Sequence, residues 1–257
     1  MISSTSNQQI KHLLRLQKKS KNRSEEQVFI IEGIRMFAEV PREQLLKVYI
    51  SDTLYNKKRQ ELNLEGLPLE ILSDSVFQYV SDTKTPQGVL CVVKQMNYEI
   101  EAFLNHGQAH ILVLDGIQDP GNLGTILRTA EGAGVTGVIM SSDCVDIYNP
   151  KTIRSTMGSI FRMPFLYTEE MNELLKKLKN NNIRTFAAHL EGKTFYDQED
   201  YTGKIAFLIG NEGNGLHREI AEQADTWIKI PMHGQVESLN VAIATSILMY
   251  EVCRQRR

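Results

Sequence analysis

Cysteine is scarce in this chain of 257 residues: Cys91, Cys144 and Cys253 lie far apart and form no CxxC pair. An odd, scattered set argues against a disulfide framework and a structural zinc site. A chain of this length can bury its cores without such staples. Long apolar runs are also missing. The longest, such as Ile205 to Ile209, stop at five residues, where a membrane-spanning helix needs about 20. The first residues, MISSTSNQQIKHLLRLQKKS, hold no apolar stretch of signal-peptide length. Together with the cysteine usage, this makes the cytoplasm the expected compartment. There is no low-complexity tract and no internal repeat. Hydrophobic residues are 42% and charged residues 23%, which excludes a disordered or fibrous chain. A large charge of either sign is lacking too: net charge is −2 and the pI about 6.3. Any nucleic-acid binding must therefore use local patches.

One such patch is present. Lys11, Arg15, Lys18, Lys19, Lys21 and Arg23 precede the first acidic residue, Glu25. Ile10, Leu13 and Leu14 follow helical spacing, so residues 1–24 predict an amphipathic helix with a basic face. A charge run of this kind also describes an ordinary solvated face.

At roughly 150 residues per domain, the length predicts two domains. In the first, VFII (28–31), KVYI (47–50), LEIL (69–72) and VLCVV (89–93) read as strands. Helices are expected over 33–40 and after a cap at Ser73 or Asp74. The stretch 96–108 is polar and broken, and reads as a linker between a domain at 1–95 and another at 109–257. In the second domain, ILVL (111–114), VTGVIM (135–140), RTFAAHL, KIAFLIG and TWIKI read as strands. Helices are expected over 122–133, near 151–158 and 169–179, and from Ser238 to about Arg254. This alternation predicts an α/β fold with a mostly parallel sheet.

Gly132, Gly134 and Gly137 spell GxGxxG. A dinucleotide site needs a strand before those glycines and a helix after them. Here the order is reversed, so they read as a helix C-cap and a turn. Three other loops, each following a strand, are richer in meaning. They run from Leu114 to Ala130, from Phe207 to Leu216 and from Ile230 to Ala242. In open α/β sheets, ligands bind beyond the carboxyl ends of strands. Taken singly, each loop reads first as a turn with a helix cap, ahead of a binding site.

Together the three loops resemble the signature motifs of the SpoU/TrmH RNA methyltransferases of the SPOUT superfamily. Asn122, Gly124, Arg128, Thr129 and Ala130 match the first motif. Ile209, Gly210, Glu212, Gly215 and Leu216 match the second, and Ile230 to Val241 the third. The resemblance covers about residues 107–257. It implies a parallel-sheet SPOUT domain with a deep trefoil knot, a feature periodicity does not disclose. It implies S-adenosylmethionine as cofactor, with Gly210, Asn211, Ile230, Met232 and Leu239 at its site and the loop of Leu190 and Gly192 closing over it. It implies methyl transfer to a ribose 2′-hydroxyl, with Arg128 beside the nucleophile and Asn122, Glu212, Ser238 and Asn240 in support. Arginine is normally not a base. Arg128 holds a phosphate and stabilises alkoxide charge, or acts as a base with help from an RNA phosphate. The two roles stay open.

Residues 1–95 resemble the ribosomal-protein-like α/β substrate domain often fused to this methyltransferase, through Phe29-Ile-Ile-Glu-Gly33 and Pro86-Gln-Gly-Val89. That fusion favours ribosomal over transfer RNA. The resemblance also implies a homodimer built on the last helix and the first helix of the catalytic domain. His189, His217 and His233 lie near the loops without metal-ligand spacing, so no metal is expected. The alternative to an enzyme is a non-catalytic RNA-binding or ribosome assembly module on the same fold.

Overall fold

Asn7 starts the first helix, Gln8–Lys18: its side-chain oxygen accepts the Gln9 N–H at 2.8 Å. Ile10, Leu13 and Leu16 are buried on one face, while Lys11, Arg15 and Lys18 stand exposed on the other. The amphipathic helix that the apolar spacing predicts is present but shorter than residues 1–24: the extended backbone of Lys19 ends it, and a separate helix, Ser20–Glu26, carries Lys21 and Arg23. In the computed structural model, which describes all 257 residues, the chain forms two compact units.

The first unit comprises Met1–Met96 and Asp146–Phe161. Its strands are β1 (Val28–Glu32), β2 (Leu45–Ser51), β3 (Leu69–Leu72) and β4 (Val89–Lys94), in the order β1-β4-β2-β3. β4 runs antiparallel to both β1 and β2, and β3 runs parallel to β2. The apolar face of the first helix packs on Ile30, Tyr49, Leu90 and Val92, beside Val76, Phe77 and Val80 of the helix Asp74–Val80. Residues 146–161 lie inside the stretch the sequence assigns to the second domain, yet they pack with the first unit. The Tyr148 ring stacks 4.7 Å from that of Phe29, and Asp146 pairs with Arg23.

The second unit comprises Asn97–Val145 and Arg162–Arg257. Its strands are β5 (His110–Leu114), β6 (Gly137–Ser141), β7 (Phe165–Thr168), β8 (Arg184–Ala188), β9 (Thr194–Phe195), β10 (Ile205–Ile209) and β11 (Thr226–Lys229). They form one all-parallel sheet ordered β7-β6-β5-β10-β8-β11-β9. Central strands β5, β6 and β10 are buried along their whole length, as expected of strands covered on both faces. The direction of strand succession reverses between β5 and β10, which places a topological switch point at their carboxyl ends.

Two features differ from the sequence reading. The expected linker holds a helix, Ile100–Leu104, whose Phe103 and Leu104 are core residues. The edge strands β7 and β9 are too short to give a periodic signal. The GxGxxG stretch is indeed a helix end. The Val135 N–H reaches back to the Ala130 carbonyl at 2.9 Å, and Gly134 takes a φ of +69°, a glycine-closed C-terminus.

Candidate functional site

The site is built on the carboxyl edge of the parallel sheet. β5 leads through residues 115–119 into the helix Pro120–Gly132, which starts at an Asp119 cap accepting the Asn122 N–H at 2.8 Å. β11 leads through residues 230–240 into the helix Val241–Gln255, capped by Asn240, whose Oδ1 accepts from the Ala242 and Ile243 N–H groups. The two helices run side by side in the same direction. Their N-terminal ends are bridged, Asn240 to Asn122 in the first turn of the other helix, and Cys253 donates to the Ala133 carbonyl at the opposite end.

The bridge joins three loops. Asn240 Nδ2 donates to Asn122 Oδ1 at 3.0 Å, and Asn122 Nδ2 donates to Glu212 Oε1 at 3.0 Å. The Glu212 carboxylate also accepts the backbone N–H groups of Gln118 and Asp119, both at 3.2 Å. Burial pushes the Glu212 carboxyl up. The Asn122 amide and the backbone donors outweigh it and hold the group below the usual carboxylate range. Glu212 is thus an ionised anchor that orients Asn122, and a poor proton acceptor. Each of the two Asn amide nitrogens keeps a second N–H for an incoming oxygen.

The Glu212 loop is itself tightly held. Asn211 and Gly215 exchange backbone hydrogen bonds at 2.9 and 3.0 Å. The Asn211 amide donates to the Gly116 carbonyl at 2.6 Å and accepts from the Gly213 and Asn214 N–H groups. His217 closes the loop: its backbone N–H (3.0 Å) and its ring Nδ1 (2.7 Å) both meet Oδ2 of the buried Asp115. That carboxylate raises the affinity of the imidazole for its proton. A Cβ on Gly210 would fall 1.9 Å from the Leu216 nitrogen, so only glycine permits this close return of the chain.

Beside the Asn240 cap lies an apolar cleft lined by Leu190, Ile228, Ile230, Met232, Leu239 and Leu248, with Ala188, His189, Lys229, Ser238 and Ala244 completing it. Of the residues expected at a cofactor site, Leu190, Ile230, Met232 and Leu239 line this cleft. Ser238, expected in a catalytic role, lines it too. Gly210, Asn211 and Gly192 do not. The first two shape the Glu212 loop, and Gly192 is a close-packed turn where a Cβ would sit 2.7 Å from the Ile228 carbonyl carbon. Ile228, Ala244 and Leu248 were missed by the motif reading. Ala244 and Leu248 carry a helical i, i+4 signal that could have found them.

Arg128 stands exposed on the helix Pro120–Gly132 with no hydrogen bond or ion pair inside the chain. Among the six cations expected to meet RNA, Lys11, Arg15, Lys18 and Lys19 are exposed and Lys21 faces Glu25 at 3.8 Å. Arg23 corrects the expectation. It is only 4% exposed and is spent inside the first unit on Asp146 and on the Leu16 and Gln17 carbonyls.

Comparison with known proteins places this geometry. The profile of the SpoU rRNA methylase family matches residues 109–250, and that of the MRM3-like substrate binding domain matches residues 7–91. A Bacillus subtilis protein named 23S rRNA (guanosine(2553)-2′-O)-methyltransferase RlmP is 31% identical over 98% of both chains. A solved AdoMet-bound rRNA methyltransferase from Sinorhizobium meliloti superposes with a TM-score of 0.87 at 28% identity, covering 98% of this chain and 97% of that one. A solved RNA 2′-O ribose methyltransferase gives 0.85 at 32% identity, over 99% and 98% of the two chains.

Proposed function

The chain belongs to the SpoU rRNA methylase family, and from that membership we propose that it transfers a methyl group from S-adenosylmethionine to a ribose 2′-hydroxyl of ribosomal RNA. The observation that carries this reading is one juxtaposition. An apolar cleft of a cofactor's character adjoins the Glu212–Asn122–Asn240 chain on the carboxyl edge of one sheet.

The cleft fits the cofactor. Leu190, Ile230, Met232, Leu239 and Leu248 offer an apolar slot for adenine, and the surrounding loops supply backbone polar groups. When bound, the cofactor supplies an activated methyl on a sulfonium. The protein's own work is then positioning and charge. Asn122 and Asn240, locked by Glu212, present N–H donors to the 2′-oxygen and hold it for in-line approach. Arg128, free of internal partners, is the cation for the adjoining phosphate and for charge developing on the 2′-oxygen. Ser238 lies between the cleft and the Asn240 cap and can contact either ligand.

In the first unit the exposed face of Lys11, Arg15, Lys18 and Lys19 takes the RNA backbone. Ile243 and Tyr250, 52% and 50% exposed one above the other on the long helix, support a homodimer through that face. We assign the deep trefoil knot and the cytoplasmic setting on the same family basis.

Arg128→Ala tests the assignment. It should abolish methyl transfer to ribosomal RNA while calorimetric binding of S-adenosylmethionine stays within about threefold. Loss of both together would remove Arg128 from the proposed role.

A further inference from the structure

The first unit carries a concave site where the helices Gln8–Lys18 and Asp74–Val80 end side by side. Leu14, Gln17 and Lys18 form one wall; Tyr79, Val80, Ser81 and Asp82 form the other. The wall is fixed: Gln17 Nε2 donates to the Val80 carbonyl at 2.8 Å, and Asp82 pairs with Arg154 at 2.7 Å. Tyr79 is the anomaly. It is 56% exposed, makes no ring contact and donates no hydrogen bond within the chain. Its exposed ring leaves an aromatic face open for stacking.

The charge around it selects that partner. Lys18 lines the site, and Arg15, Lys11 and Lys19 flank it on the same helix and its cap, all exposed. An aromatic face beside a row of cations suits a nucleotide: the ring stacks the base and the ammonium takes the phosphate. A protein partner would instead need carboxylates set against four cations and one isolated aromatic. The rim adds a preference. Asp82 Oδ1 and Gln17 Oε1 are acceptors with no partner in the chain, so a base whose exocyclic amino group brings two N–H donors meets them better than uracil, which brings only its N3–H.

We propose that Tyr79 and Lys18 form a stacking site for one unpaired, amino-bearing RNA base, which anchors the substrate on the first unit. This rests on the reading of the protein as an RNA-modifying enzyme, and it names a contact that reading does not contain.

The test uses the full-length protein and 12-nucleotide single strands, oligo(A) carrying a central 2-aminopurine and oligo(U), with an RNA duplex of equal length. Wild-type protein should quench the 2-aminopurine and bind oligo(A) more tightly than oligo(U). Tyr79→Ala should lose the quenching and about tenfold in affinity for oligo(A), Tyr79→Phe should retain both, and duplex binding should not change. Tyr79 is exposed, so an unchanged melting temperature is expected and verifies that the variant folds. Undiminished oligo(A) binding in Tyr79→Ala overturns the proposal, as does an equal loss for the duplex. Methyl transfer by the wild type to ribosomal RNA, measured in parallel, separates the two ideas. Its absence would refute the enzymatic reading, whereas the stacking site stands or falls on the quenching and on the affinity of Tyr79→Ala for oligo(A) against the duplex.

Discussion

Arg23 offers the sharpest contrast between a residue's type and its work. It sits in a run of cations and looks like an RNA contact. In the fold its Nε donates to Asp146 at 3.2 Å, its second guanidinium nitrogen pairs with the same carboxylate, and Nη1 reaches the Leu16 carbonyl at 2.6 Å and the Gln17 carbonyl at 3.1 Å. It therefore closes the end of the first helix and ties residues 146–161 to the first unit. Removing one partner of a buried ion pair costs about 3–5 kcal/mol, because the other charge is stranded. The Asp146 side chain keeps 29% of its surface exposed. Water can resolvate part of that charge, which lowers the expected loss for Arg23→Ala to about 2–3 kcal/mol. For a unit of roughly 100 residues each kcal/mol moves the melting point by about 4–8 °C, so the first transition should fall by about 10 °C or more. Differential scanning calorimetry reads this directly. The salt dependence of RNA binding should keep its slope, since no phosphate contact is removed. An unchanged melting point with a flatter salt slope would refute the structural role and restore Arg23 to the RNA-binding face.

Gly210→Ala forces a Cβ to within 1.9 Å of the Leu216 nitrogen, so the Glu212 loop must open. Methyl transfer should be lost with a destabilisation of about 1–3 kcal/mol, while Gly213→Ala, whose nearest neighbour is 3.5 Å away, should match wild type; equal behaviour of the two would contradict the close-approach argument. His217 gains a proton partner in Asp115, so its pKa in the fold lies above its unfolded value. The stabilisation is fully present below the unfolded pKa and is lost as pH rises through the folded one. The protection factors of amides in residues 211–217, that is, exchange rates corrected for the intrinsic hydroxide-catalysed rate, should therefore fall as pH rises above about 6.5, and in His217→Asn they should not change with pH. Protection factors that do not change with pH in the wild type would count against the pairing.

The parts legible in the sequence were those with local signals. Ile10, Leu13 and the strand ILVL announced their elements by spacing, and the glycine- and asparagine-rich loops announced the carboxyl edge of the sheet. The reversed strand order around Gly132, Gly134 and Gly137 was enough to dismiss a dinucleotide site. What escaped was set by contacts between distant residues. Nothing local pairs Asp115 with His217 or sends residues 146–161 to the first unit. Nothing local separates Arg23, buried, from Arg15, exposed. Likewise nothing local brings Gly210 against Leu216 or Asn211 against the Gly116 carbonyl. The short helix Ile100–Leu104 was hidden by its polar flanks, and its burial follows from the Phe103 ring seated against Gly137.

The central claim is the reaction itself. Wild-type protein should be incubated with methyl-labelled S-adenosylmethionine and ribosomal RNA from cells lacking the gene, and the labelled nucleotide mapped by nuclease digestion. The account predicts label on a single ribose 2′-oxygen, absent with Arg128→Ala. Label on a base, or no transfer although the cofactor binds and every form of ribosomal RNA and its assembly intermediates has been offered, would contradict it.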